Sequence, residues 1–257
     1  MYETIHYEVR DRVAWLTLNR PDKLNALTEQ MNKEITKALK QAANDENVRC
    51  LVITGAGRAF CSGEDLGGVT EEMDHGEVLR TRYAPMMQTL YHVEKPVVAA
   101  VNGVAAGAGM SLALACDFRL VSEKASFVEA FIHVGLIPDA GNLYYLPRLI
   151  GHAKALELAV FGEKISAPKA AELGLATAVV PEQSWEEEVQ RFAGRLANMP
   201  TKAVGLIKRY LRESWHCTFE DYLEKEAYGQ RIAGLTEDHR EGIRAFFEKR
   251  PPSFQGK

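Results

Sequence analysis

The chain has 257 residues, enough for one sizeable α/β domain with a helical appendage. It is 46% hydrophobic and 26% charged with a net charge of −4, so it lacks the basic footprint of a nucleic-acid binder, although local positive patches can still grip a small anionic ligand. No apolar run approaches the roughly 20 residues of a membrane span, and the N-terminal residues show neither the basic nor the apolar stretch of a secretory signal. Residues 4–8 and 13–19 alternate or run apolar around Arg10-Asp11-Arg12, which predicts a β-hairpin. Arg20-Pro21-Asp22-Lys23 breaks the second strand, and Thr28 is placed to cap a helix through about residue 43, with Glu29 and Lys33 as an i,i+4 pair. Residues 50–54 form a short apolar run entering Gly55-Ala56-Gly57, as a buried strand does at its end. Residues 71–76 are acidic and turn-like, with a helix expected over 78–92. Another buried strand is expected over 96–101, followed by a turn of small residues and a helix to about residue 115. Short strands follow at 118–121 and 126–128.

Past residue 143 the strand signal fades. Residues 153–161, 168–173, 185–198, 201–214, 219–231 and 238–249 read as successive helices. Strands alternating with helices predict βα repeats and a largely parallel sheet, giving an α/β core to about residue 195 and a helical segment after it. There is no low-complexity linker and no internal repeat.

The four cysteines, at 50, 61, 116 and 217, show no CxxC spacing and read as free thiols of a reducing, cytoplasmic compartment. Cys61 lies in a glycine-rich loop where a nucleophile would be reachable, but no histidine partner accompanies it. No HxxxH or HExxH pair points to a protein-bound metal.

Two turns and one acid carry the chemistry. Residues 102–111, Asn-Gly-Val-Ala-Ala-Gly-Ala-Gly-Met-Ser, join a strand to a helix. Their glycines at 103, 107 and 109 miss the GxGxxG spacing, and no ribose-binding acid follows, so a dinucleotide site is disfavoured. Close helix–strand packing explains the small residues. The unpartnered N–H groups at the helix start also suit a developing oxyanion. The glycine-rich loop over 55–66 is a second place for such a donor. Asp139 is a lone carboxylate within Gly135-Leu136-Ile137-Pro138-Asp139-Ala140-Gly141. It suits either an acid/base or the N-cap of a helix over 140–149.

Taken together, several segments resemble the crotonase (enoyl-CoA hydratase/isomerase) superfamily. They are Asn19-Arg20-Pro21 with Leu24-Asn25-Ala26-Leu27, Val52-Ile53-Thr54-Gly55 with Arg58-Ala59-Phe60-Cys61-Ser62-Gly63-Glu64-Asp65-Leu66, Lys95-Pro96 through Asn102-Gly103, Ala115-Cys116-Asp117, and Gly162-Glu163 through Gly174-Leu175-Ala176. The resemblance runs from about residue 5 to Phe246-Phe247-Glu248-Lys249-Arg250. It implies a ββα-spiral core over 1–195 and a C-terminal helical trimerisation region over 196–257, assembled as a homotrimer or a dimer of trimers. It also implies an acyl-CoA substrate, with coenzyme A as part of the thioester and no separate cofactor. The thioester oxygen would rest on the backbone N–H groups of Glu64 and Ala108, each worth roughly 3 kcal/mol in the transition state. The side chains at these two positions are then not the catalytic parts. Coenzyme A would follow the loops at Lys23–Ala26 and at Ala59, Ser62 and Glu64, with Phe246 and Lys249 of a neighbouring subunit touching the nucleotide.

The resemblance also bears on which reaction is run. Hydratases of the family use two glutamates, and Ser111 and Phe131 stand at those positions here. Neither deprotonates water nor protonates carbon. Glu129 lies two residues before Phe131, about 7 Å along the same face of an extended segment, and would replace it only with a displaced backbone. Asp139 stands where some 3-enoyl-CoA isomerases keep a glutamate. Ring-epoxide isomerases of phenylacetate degradation keep an aspartate there, ahead of a Leu-Pro-Arg-Leu like that at 146–149. One carboxylate suffices for isomerisation through a dienolate, and Phe127, Phe131, Ile132 and Ile137 would raise its pKa if they line the pocket. Chlorobenzoyl-CoA dehalogenase uses an aspartate at this place as a nucleophile, but Phe131 lacks the hydrogen-bond donor of the tryptophan found there. The expectation is an isomerase. An enoyl-CoA hydratase with displaced acids and a non-catalytic acyl-CoA- or RNA-binding relative are the alternatives.

Overall fold

The computed structural model describes residues 2–68 and 70–257. Strands β1 (Ile5–Arg10) and β2 (Val13–Leu18) pair antiparallel from Ile5↔Leu18 to Arg10↔Val13, around Asp11 and Arg12 in the left-handed region. Helix α1 (Glu29–Asn44) starts at Thr28, whose hydroxyl accepts from the Met31 N–H at 3.2 Å. It buries Met31, Ile35, Ala38, Leu39 and Ala42, one face at helical spacing. Next come β3 (Cys50–Gly55), β4 (Ala59–Cys61), a single turn α2 (His75–Val78), a π-helical turn at Leu79–Tyr83, and α3 (Ala84–His92). The helix expected over 78–92 thus begins three residues earlier and is interrupted at the π turn, which sets Tyr83 in the interior.

The middle of the chain repeats one pattern. Strands β5 (Val97–Val101) and β6 (Val104–Ala106) precede α4 (Ala108–Ala115), and β7 (Phe118–Ser122) and β8 (Ser126–Val128) precede a 3-10 turn at Ala130–Val134. One sheet runs β1-β2-β3-β5-β7 and a second runs β4-β6-β8, so each consecutive pair β3/β4, β5/β6 and β7/β8 gives one strand to each sheet. That is the spiral. Apart from the β1–β2 hairpin, the first sheet is parallel, as expected.

Helices α5 (Asn142–Ile150), α6 (His152–Phe161) and α7 (Ala167–Glu172) follow. Two strands lie among them that the sequence reading does not foresee: β9 (Lys164–Ser166), antiparallel to β8, and β10 (Ala178–Val180), parallel to β7. Each has only three residues, too few for a period-2 signal to stand out. Helix α8 (Trp185–Ala197) covers one face of the first sheet with Val189, Ala193 and Ala197 against Val13, Val52, Val98 and Leu120. Residue 195 falls inside this helix. The opposite face joins α1, α3, α4 and the second sheet in the main core.

Helices α9 (Thr201–Glu213), α10 (Phe219–Gly234) and α11 (Glu237–Glu248) complete the chain. Lys208 of α9 donates to the Lys95 carbonyl at 2.7 Å and pairs with Asp117, anchoring the helix to the core. Arg49 bridges the Thr201 hydroxyl and the carbonyls of Met199 and Phe254. Leu211, Trp215, Phe219, Leu223 and Tyr228 remain exposed along α9, α10 and their connection. No helix among the described residues is long and apolar enough to cross a membrane.

Candidate active site

A cavity of about 150 Å³ opens where the loop after β4, the α2–α3 junction, the start of α4 and the 130–139 segment meet. Gly63, Glu64, Tyr83, Ala108, Phe131 and Asp139 all line it. A larger depression of about 1000 Å³ lies elsewhere, over the first sheet between Arg10 and Glu187. It is an open polar trough that gathers none of the expected residues, and the small cavity is the better candidate because the chemistry converges there.

The two turns meet at backbone level. Leu27 N–H donates to the Gly63 carbonyl at 2.7 Å and Asp65 N–H donates to the Leu27 carbonyl at 2.9 Å, which turns the intervening Glu64 N–H the other way. Ala108 is the first residue of α4, where no intrahelical acceptor exists. Neither N–H donates to a backbone carbonyl among the described residues. Gly63 has φ +98°, and a Cβ there would lie 3.0 Å from the Ala106 carbonyl oxygen and 3.5 Å from the Ala108 nitrogen. Only glycine lets these strands of backbone approach. The same holds at Gly109, where a Cβ would sit 2.3 Å from the Cys61 carbonyl.

Asp139 reaches the cavity from the turn before α5. Ala140 and Gly141 both adopt left-handed φ, and Gly141, without side-chain help, is the N-cap. Asp139 therefore does not cap the helix; its backbone carbonyl accepts from Asn142 N–H, while its Oδ1 is buried without a partner. Burial is the main reason its pKa rises to about 6, with the negative charge of Glu64 adding and His75 opposing. The wall around it differs in part from expectation. Phe131 lines the cavity, but Phe127 is wholly inside the core and Ile132 and Ile137 face outward.

Ser111 does not face the cavity. It is fully buried, donates to the Gly107 carbonyl at 3.2 Å and accepts from Asn142 Nδ2 at 3.3 Å. Asn142 also donates to Glu129 Oε1 at 2.9 Å, so Ser111, Asn142 and Glu129 form a closed interior cluster. Glu129 has no exposed surface, and burial above all raises its carboxyl to about 7.

The Glu64 side chain lines the cavity beside its own N–H, accepting from the Tyr83 hydroxyl. Sequence reasoning missed Tyr83 and His75, and set the Glu64 side chain aside. A π turn is what directs Tyr83 inward, and no short-range pattern announces it. Cys61 is fully buried and its thiol is pushed up to about 12 by burial, which removes it as a nucleophile.

Of the residues expected along coenzyme A, Lys23 is exposed on a 3-10 turn and Ser62 Oγ lies 3.4 Å from the Lys23 carbonyl. Ala26 and Ala59 are buried, leaving only their backbone to offer. Asn25 ties these loops together. Its Oδ1 accepts from Arg20 N–H at 2.9 Å, and its Nδ2 donates to the carbonyls of Ala56 and Ala59 at 2.9 and 2.8 Å. Phe246 and Lys249 lie on or just after α11, with Phe246 exposed, and do not line this chain's cavity.

Comparison with known proteins agrees with the fold. The family model described as enoyl-CoA hydratase/isomerase matches residues 8–257. The chain is 44% identical over 257 residues to the "Probable enoyl-CoA hydratase" of Rhodobacter capsulatus, covering 100% of this chain and 99% of the other. It is 42% identical over 262 residues to the 1,2-epoxyphenylacetyl-CoA isomerase of Escherichia coli, covering all of both. In three dimensions it is similar to an enoyl-CoA hydratase crystal structure from Bacillus anthracis, with a TM-score of 0.91 and 34% identity over 99% of this chain and 100% of that one.

Proposed function

Because the chain belongs to the enoyl-CoA hydratase/isomerase (crotonase) family, we propose that it is an isomerase of that family, shifting a double bond or rearranging a ring epoxide in an acyl-CoA through Asp139. The thioester oxygen rests on the N–H groups of Glu64 and Ala108, which stabilise the enolate as charge develops. Asp139 removes a proton from the carbon beside the thioester and the dienolate is reprotonated further along the chain. The observation that carries this reading is the Asp139 carboxylate at the cavity wall, with one buried oxygen free of partners and a pKa near 6. Such a group exchanges protons readily in both directions near neutral pH.

Hydration by the family's usual pair of glutamates is disfavoured, because positions 111 and 131 hold a buried serine and a phenylalanine. Glu129 does not make up for them, since it is sealed behind the cavity wall. The apolar lining, with Leu66, Met73, Val78, Leu79 and Leu136, fits a short or ring-shaped acyl group. Coenzyme A follows the exposed Lys23 turn and the backbone at Ala26, Ala59 and Ser62, with Phe246 and Lys249 of a second copy closing over the nucleotide. The exposed apolar side chains of α9 and α10 support a trimer, because surfaces of this kind are normally covered.

The test supplies 3-enoyl-, 2-enoyl- and unsaturated-ring acyl-CoA to the protein and reads products by mass spectrometry. Asp139→Asn should bind ligand and lose isomerisation on the order of 10²–10⁴-fold. Rapid addition of a water's mass to the 2-enoyl substrate would overturn the reading in favour of a hydratase.

A further inference from the structure

One buried carboxyl lies outside the mechanism above. Glu129 has no exposed surface and lines neither the cavity nor the trough over the first sheet. Its Oε1 accepts from Asn142 Nδ2 at 2.9 Å, and its Oε2 has no partner among the described residues. Asn142 Oδ1, equally buried, has none either. Turning the amide round does not help. Ser111 donates its only hydroxyl proton to the Gly107 carbonyl at 3.2 Å and must receive one from Asn142 at 3.3 Å, so the amide nitrogen faces Ser111. Two acceptor oxygens, on groups already joined by one hydrogen bond, are thus left without a hydrogen. Buried acceptors in that condition destabilise the fold, and a single proton on Oε2 supplies both.

Asn142 also sets the turn that carries Asp139. It is the first residue of α5, and its backbone N–H donates to the Asp139 carbonyl at 2.9 Å. Between them Ala140 and Gly141 have φ of +50° and +80°. An alanine in the left-handed region persists only where its surroundings hold it, and the buried Asn142 side chain is the anchor on the core side.

Resting on the isomerase reading for its link to activity, we propose that Glu129 is a protonated positioning residue: its Oε2–H donates to Asn142 Oδ1, and this acid–amide pair fixes the turn that aims Asp139 into the cavity. Glu129 itself does not touch substrate. The groups facing it are Ser111 from α4, Asn142 from α5 and, as the charged one, Asp139 from the turn. His133, on the 3-10 turn beside it, directs its ring to the Gly162 carbonyl at 3.1 Å. Burial lifts Glu129 to about 7, with Asp139 adding and the Asn142 N–H opposing, and a hydrogen bond donated by the neutral acid lifts it further. The pair is therefore complete below about 7 and is lost as pH rises beyond, when a carboxylate faces the amide oxygen.

The experiment has two readouts. Infrared spectra of the full chain carrying Asp139→Asn, with and without Glu129→Gln, should differ at about pH 6 by a protonated-carboxyl C=O band that fades at alkaline pH. Absence of that band means an ionised Glu129 whose oxygens are satisfied by water, and overturns the proposal. In protein with Asp139 intact, kcat for 3-enoyl-CoA isomerisation should fall on the order of 10- to 10²-fold between about pH 7 and 9. Glu129→Gln, whose amide can donate to Asn142 Oδ1 at every pH, should abolish the fall. A fall that survives in Glu129→Gln, or none in the wild type, overturns the positioning role. Failure of the isomerase reading looks different, because Asp139→Asn would then keep its isomerisation while the infrared band still reports the proton on Glu129.

Discussion

Asp139 sets a pH dependence of opposite sign for activity and for stability. Its base form is the ionised one, so kcat/KM for isomerisation should rise with pH through about 6, which a pH–rate profile reads directly. For stability, the folded pKa lies above the ordinary value of an aspartate, so burial favours the protonated form. Its contribution is fully present below the unfolded pKa and is lost as pH rises through about 6. Asp139→Asn should therefore raise Tm at pH 8, by the equivalent of about 3 kcal/mol, and the gain should vanish near pH 3. An equal Tm difference at both pH values would show that the carboxyl is not held in a desolvated site. At this scale the position was legible: a lone acid between glycines stood out, and the family resemblance, with no acids at 111 and 131, gave it the task proposed above. The Ser111–Asn142–Glu129 cluster was not legible, because its members lie 13 to 31 residues apart and meet only through packing.

The decisive elements are the ends of helices and the loops before them. Ala108 occupies the first position of α4, where proline is tolerated because its missing N–H bonds nothing within the helix. Ala108→Pro should leave the fold and its Tm nearly unchanged while deleting one thioester donor, lowering kcat by about 10²–10³-fold. A variant of undiminished activity would remove Ala108 from the site. Asn25 acts differently, since it is fully buried and makes three hydrogen bonds that fasten the Lys23 turn to the loop before β4. Asn25→Ala leaves those backbone groups short of partners and should cost about 2–4 kcal/mol in denaturant unfolding. Helix α1 and strands β3 and β5 were legible because each carries its whole signal locally, an amphipathic period with a cap or an unbroken apolar run. Strands β9 and β10 exist only because β8 and β7 offer edges to them, and a three-residue partner writes no pattern of its own.

For the whole molecule, the prediction concerns assembly. Sedimentation should give a mass about three or six times that of the 28.6 kDa chain, for a trimer or a dimer of trimers. Phe219→Glu with Leu223→Arg, on the outer face of α10, should shift it toward the monomer, and a wild-type mass of one chain would refute the trimer. The parallel sheet was legible from the βα alternation and the spiral only through the family resemblance, since β4 and β6 lie in segments that read as a loop and a turn, whereas the way α9 locks onto Glu94, Lys95 and Asp117 depends on contacts more than 80 residues apart in sequence. The paired amides of Glu64 and Ala108 have a consequence for descent. A codon change replaces a side chain but, proline aside, never removes a peptide hydrogen, so a thioester grip of the kind proposed would be inherited with the shape of the main chain. A lineage can rewrite the cavity's acids and thereby its reaction while keeping that grip. Relatives of this chain at 44% and 42% identity bear the names of a hydratase and an isomerase, which is the outcome such an arrangement permits.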